Sequence, residues 1–173
     1  MSGFRQEHPL YQLFLERIQE AVASECPGKA YEDVEDYLTS LLVAFMRTDR
    51  LFRIKDASGR SLSSVFDMLA EGDVRLNADS FEREREVHKH IGDYILFWSG
   101  LNPMFLQRLK LDDGRELLCD YTRQGKESYR LVSSFDYRPF DAEAPTFRKL
   151  SEGFEVLSSA LHRVGRDLPF HAA

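Results

Sequence analysis

Glu84 and His88 are the two polar residues best placed to do chemistry. They stand four apart in a stretch whose apolar residues recur at helical intervals, so their side chains meet on one helix face. At 100° per residue, with Ile91 taken as zero, Glu84 falls at about 20° and His88 at about 60°. Both lie on the same side as Val87, Tyr94 and Trp98. A buried Glu–His pair raises the pKa of the imidazole, and can move protons or hold a metal. A metal site gets little support from the rest of the chain. The five histidines are His8, His88, His90, His162 and His171. His88 and His90 are about 160° apart on a helix, so one ion cannot use both without distortion. Neither H-E-x-x-H nor the Glu-x-x-His of di-iron bundles occurs. No metal and no cofactor is expected.

The same segment, Glu82-Arg83-Glu84-Arg85-Glu86-Val87-His88-Lys89-His90, carries a second pattern. Six residues separate Arg83 from His90, and four separate Arg85 from His90. This resembles the Arg-x(4–6)-His motif of the HEPN family of helical, metal-independent ribonucleases. The resemblance covers nine residues. It implies that Arg83 and His90 act on an RNA backbone, often in a dimer. Read from the residues alone, the segment is a solvated helix face laced with opposite charges. A further basic stripe, Arg123, Lys126 and Arg130, shares one outer helix face and suits an acidic partner or a phosphate. Tyr121 and Tyr129 lie toward the core and do not interleave with it as stacking residues would.

Composition limits what these residues can serve. The 173 residues include 23 Lys and Arg against 29 Asp and Glu, a net charge of −6, which disfavours a general nucleic-acid surface. A chain of this length fits one domain and buries roughly 70% of its unfolded surface. With 43% hydrophobic residues it is not disordered, and its 2 cysteines cannot staple a mini-fold. The longest apolar run, Tyr94 to Trp98, is far short of the roughly 20 residues a membrane span needs. No apolar segment follows the N-terminus as in a secretory signal, and Cys26 and Cys119 lie far apart with no C-x-x-C pattern, so a reduced, cytoplasmic setting is expected. Glycine-rich phosphate loops and the G-x-S-x-G elbow do not occur.

Helices must position whatever site exists. Leu10, Phe14, Ile18 and Ala21 predict a first helix over about Pro9–Ala23. Val34, Tyr37, Leu38, Leu41, Leu42 and Phe45 predict a second over about 31–48, with four carboxylates at its positive end. After an irregular stretch, Ser61 is the expected cap of a short helix that stops at Gly72. The fourth element spans about Asp79–Ser99, and its C-terminal half is apolar nearly all round. Pro103 opens a short helix through about Leu109. Asp113-Gly114 is a hairpin cue, but Leu117, Tyr121, Gly125, Ser128, Val132 and Phe135 step as a helix, with Gly125 allowing a close crossing. The last helix starts near 141–145 and runs to about Gly165. The sum is an all-α bundle of about five main helices with one or two short extra ones, as one domain over 1–173.

Such a chain reads first as a non-enzymatic binding or interaction domain. The two-sided apolar stretch around Leu96, Phe97 and Leu101 exceeds what one small core is expected to cover, which points to a homodimer or a protein partner there. The alternatives are a metal-independent hydrolase, HEPN-like, using Glu84, His88, Arg83 and His90, and a sensor of small apolar ligands with an aromatic pocket.

Overall fold

The computed structural model describes residues 9–167. Residues 1–8, read above for a secretory signal, lie outside that range, as do His8 and His171. Among the described residues the fold is an all-α bundle: α1 (Tyr11–Glu25), α2 (Glu32–Phe45), α3 (Thr48–Leu51), α4 (Val65–Glu71), α5 (Phe81–Leu101), α6 (Pro103–Asp112), α7 (Tyr121–Ser133), α8 (Ala144–Glu152) and α9 (Phe154–Asp167). A 3-10 turn at Gly114–Leu118 joins α6 to α7, and a lone antiparallel bridge pairs Lys55 with Ser61. Five helices, α1, α2, α5, α7 and α9, are thirteen residues or longer.

The longest, α5, is the centre. It packs against α7 and α9, and also touches α4, α6 and α2. That is why its apolar residues are not confined to one stripe. Val87, Ile91, Tyr94, Ile95 and Leu96 are all fully buried, on several faces of the same helix. Phe97 packs edge-on against Phe45 at 5.2 Å, and Trp98 stacks on Phe105 at 4.0 Å. Two glycines set how closely α5 and α9 meet α7. Gly92 leaves room for the ring of Tyr129, whose Cε1 would lie 2.6 Å from a Cβ there. Gly125 accommodates the ring of Phe154 in the same way, the close crossing that the sequence pattern suggests.

Three side chains start helices by accepting a backbone N–H: Ser64 for α4, Ser80 for α5 and Asp120 for α7. Ser64 replaces Ser61 as the cap of α4, because Ser61 is taken up in the bridge to Lys55. Nor does one helix run from 144 to 165. The chain bends at Gly153, so α8 packs on α7 while α9 crosses α5 and α1. The third difference concerns the turn before α7. Leu117 is exposed, and Glu116 is the fully buried residue. Glu116 accepts from Ser64 Oγ and the Phe66 backbone N–H, each at 2.7 Å, and from the Tyr121 hydroxyl. Three donors satisfy the carboxylate, which ties the turn to the start of α4.

Candidate functional site

The face of α5 toward α2 carries the polar residues that matter. Asp93 is only 7% exposed. Its Oδ1 accepts two hydrogen bonds, from Tyr37 of α2 at 2.7 Å and from Tyr129 of α7 at 2.8 Å. Oδ2 has no hydrogen-bond partner among the described residues. Burial pushes the carboxyl pKa up, against the lowering pull of Lys89, the two phenols and Arg53. Both phenols are pushed well above their ordinary value, by burial first and by Asp93 second.

Asp93 forms part of the lining of a pocket of about 220 Å³ between α2, α5 and the α3 segment. Tyr37, Leu41, Ala44 and Phe45 of α2 form one wall, and His90 and Lys89 of α5 the other. Arg50 and Arg53 close it from the α3 side. Arg53 is anchored by its guanidinium to the Glu86 carbonyl at 3.3 Å. Among the described residues none of Arg50, Arg53 and Lys89 is ion-paired with a carboxylate within 4.0 Å, although Lys89 lies 5.9 Å from the Tyr37 ring. His90 is 1% exposed, between the rings of Phe45 and Tyr94, and its Nε2 has no hydrogen-bond partner. Burial lowers its pKa to about 3, helped by Arg53, while a hydrogen bond with the Leu51 backbone works the other way. This imidazole is neutral at physiological pH.

The residues singled out in the sequence are not brought together. His88 is half-buried and its Nδ1 lies 3.0 Å from Ser128 Oγ on α7, with no hydrogen bond or ion pair to Glu84 among the described residues. Its pKa is lowered, not raised as a Glu–His pair would make it: burial outweighs the one nearby carboxylate, Asp73. Arg83 faces Glu71, 4.0 Å away. Arg85 is buried, bonded to Glu143 at 2.9 Å and stacked 4.1 Å over Phe140. Neither arginine shares a cleft with His90, which lies beneath the α2 wall. Leu96 is wholly inside the bundle, Phe97 packs on Phe45, and Leu101 packs over Gly165. Much of the apolar surplus of the 94–101 stretch is thus packed within the chain, while Phe97, Trp98 and Leu101 stay partly exposed. In the basic stripe, Arg123 pairs with Glu127 at 3.0 Å and Lys126 with Glu155 at 2.8 Å, so most of its charge is answered locally.

Asp93 and the Arg50–Arg53 pair did not stand out in the sequence, and one signal marks Asp93. It is a lone carboxylate inside the run Ile91–Trp98, where every face of the helix is apolar. Among the described residues no three His, Cys, Asp or Glu side chains converge as metal ligands would, and Cys26 and Cys119 are free thiols raised in pKa by burial. No helix among them is long and apolar enough to cross a membrane. No protein-family model matches this chain, and neither the curated proteins nor the solved structures contain a match to it.

Proposed function

We propose that this chain is a non-enzymatic binding domain, and that the pocket between α2 and α5 takes a small molecule bearing an anionic group. One observation carries the reading: Arg50, Arg53 and Lys89 converge on a single recess without carboxylate partners, in a chain whose net charge is −6. Charge of that sign, gathered in a concave site with apolar walls, attracts and orients anions. Binding is favoured over catalysis because a histidine with a pKa of about 3 exchanges no proton near neutral pH, where a general base must work.

Phosphate and pentanoate are suitable probes, titrated into isotopically labelled protein. Chemical-shift changes should gather on residues 40–53 and 89–93 and disappear when Arg50, Arg53 and Lys89 are all changed to Ala. Shifts scattered over the surface, or surviving in that triple variant, would overturn the proposal.

A second reading keeps the protein partner but moves it. Leu111, Leu117 and Leu118 are 82%, 63% and 88% exposed, close together in sequence on the α6–turn segment, and exposed apolar side chains gathered in one place mark an interaction surface. A monomer at every concentration, with solubility unchanged in Leu118→Ser, argues against it.

A further inference from the structure

The recess offers three chemistries at once, and they fit one kind of molecule. Its floor is acidic. Asp93 spends Oδ1 on two phenols and leaves Oδ2 without a protein partner. A carboxylate this deeply buried is normally matched by a cation in contact. Here Lys89 and Arg53 act on it through their field alone, with no ion pair formed within 4.0 Å. Oδ2 is therefore an unfilled acceptor, and an ammonium, whose contact would restore the charged carboxylate that burial disfavours, answers it better than a neutral donor does. The rings of Tyr37 and Phe45 also line the recess.

The rim is basic. The guanidinium groups of Arg50 and Arg53 present forked donors of the kind that grips a carboxylate, and Lys89 adds a point charge. The wall is apolar, from Leu41, Ala44 and Phe45. The volume of about 220 Å³ equals roughly seven waters at their share of the liquid, enough for a small molecule with a short aliphatic chain and little more.

We infer that the ligand is a small amino acid or a close amine-bearing carboxylate, with its ammonium on Asp93 Oδ2, its carboxylate on Arg50, Arg53 and Lys89, and its side chain against Leu41 and Phe45. The inference rests on the anion-pocket reading above and narrows it.

Norvaline, 2-hydroxypentanoate and pentanoate test it, because they differ only in the group on the second carbon. Binding is followed by calorimetry and by shifts of residues 89–93. Norvaline should bind the wild-type protein at least about tenfold tighter than pentanoate, the equivalent of one good charged contact. Asp93→Asn keeps an acceptor for the two phenols and turns an amide NH₂ toward the recess. It should erase the preference for norvaline while leaving pentanoate binding within about twofold. Arg53→Ala should weaken all three ligands together. Equal binding of norvaline and pentanoate, tighter binding of 2-hydroxypentanoate, or a preference that persists in Asp93→Asn each overturns the amine assignment and leaves the anion pocket standing. If none of the three, nor phosphate, moves the recess signals, both readings fall. The ranking in the wild-type protein decides the matter even if Asp93→Asn does not fold.

Discussion

The ring of Tyr129 occupies the space in which a side chain at Gly92 would begin, with its Cε1 2.6 Å from where that Cβ would stand. One turn of α5 therefore does two things. The missing side chain at 92 admits the ring, and the next residue, Asp93, receives its hydroxyl at 2.8 Å.

Gly92→Ala should push Tyr129 off α5. Overpacking of this kind costs roughly 1–3 kcal/mol, in addition to the strained or lost bond to Asp93. The denaturation midpoint should fall accordingly. An unchanged midpoint would mean that the ring moves aside freely. Gly92→Ala in a Tyr129→Phe background should add little for the hydroxyl, since the bond is already gone.

The two phenols share one oxygen, so their contributions are coupled. Tyr129→Phe removes a fully buried donor to a buried carboxylate and should cost about 1.5–3 kcal/mol. Tyr37→Phe should cost less, because Tyr37 lies on the pocket wall, where water can replace the hydroxyl. A double-mutant cycle by chemical denaturation should give a coupling energy clearly different from zero. Strict additivity would show that the shared oxygen is not limiting.

His90 should shape the acid side of the stability curve. Its folded-state pKa of about 3 lies below the ordinary 6.5, so the unfolded chain takes up this proton first as pH falls. Stability is then full above about pH 6.5 and declines toward pH 3, by roughly 4 kcal/mol for this group alone. Asp93 acts with the opposite sign. Its raised pKa makes the fold lose stability as pH climbs from 3.8 through the folded value. His90→Gln should flatten the decline between pH 6.5 and 3 while leaving the Asp93 contribution in place. Equally steep acid limbs in both proteins would count against a neutral buried His90.

Glu116→Ala should be a costly change, because this buried carboxylate holds three donors. It strands the Ser64 hydroxyl, the Phe66 N–H and the Tyr121 hydroxyl together. About 2–4 kcal/mol is expected, and limited proteolysis should begin cutting within 62–66 and 113–120. Glu116→Gln should recover part of the loss, because an amide oxygen still accepts. If proteolysis starts elsewhere, the turn is not held by this residue.

What the sequence makes legible is what repeats along the chain. Helices announce themselves by a 3.6-residue period, and α2, α7 and the core residues of α9 stand where that period puts them. Glu84 and His88 stand out in the sequence because they lie on the Ile91 stripe. That criterion assumes one buried face, whereas α5 is enclosed on nearly all sides. The informative residue was thus Asp93, on the far side of the helix from that stripe. Glu116 escaped for a related reason. A 3-10 turn has a shorter period, so extending the α-helical register of α7 backwards selected Leu117, one position off. Arg50 and Arg53 meet Lys89 only through the tertiary placement of α3, which no local pattern encodes.

The position of α9 has a consequence for how the chain is made. Residues 154–167, the last of the described helices to be synthesised, cover the apolar faces of both α1 and α5, and Arg163 ties back to Glu25 at 3.1 Å. Phe14, Ile18 and Val22 are therefore synthesised well before the helix that completes their cover. Until α9 is made, the apolar face of α1 has only α2 beside it, so the yield in a cell should depend on chaperone supply.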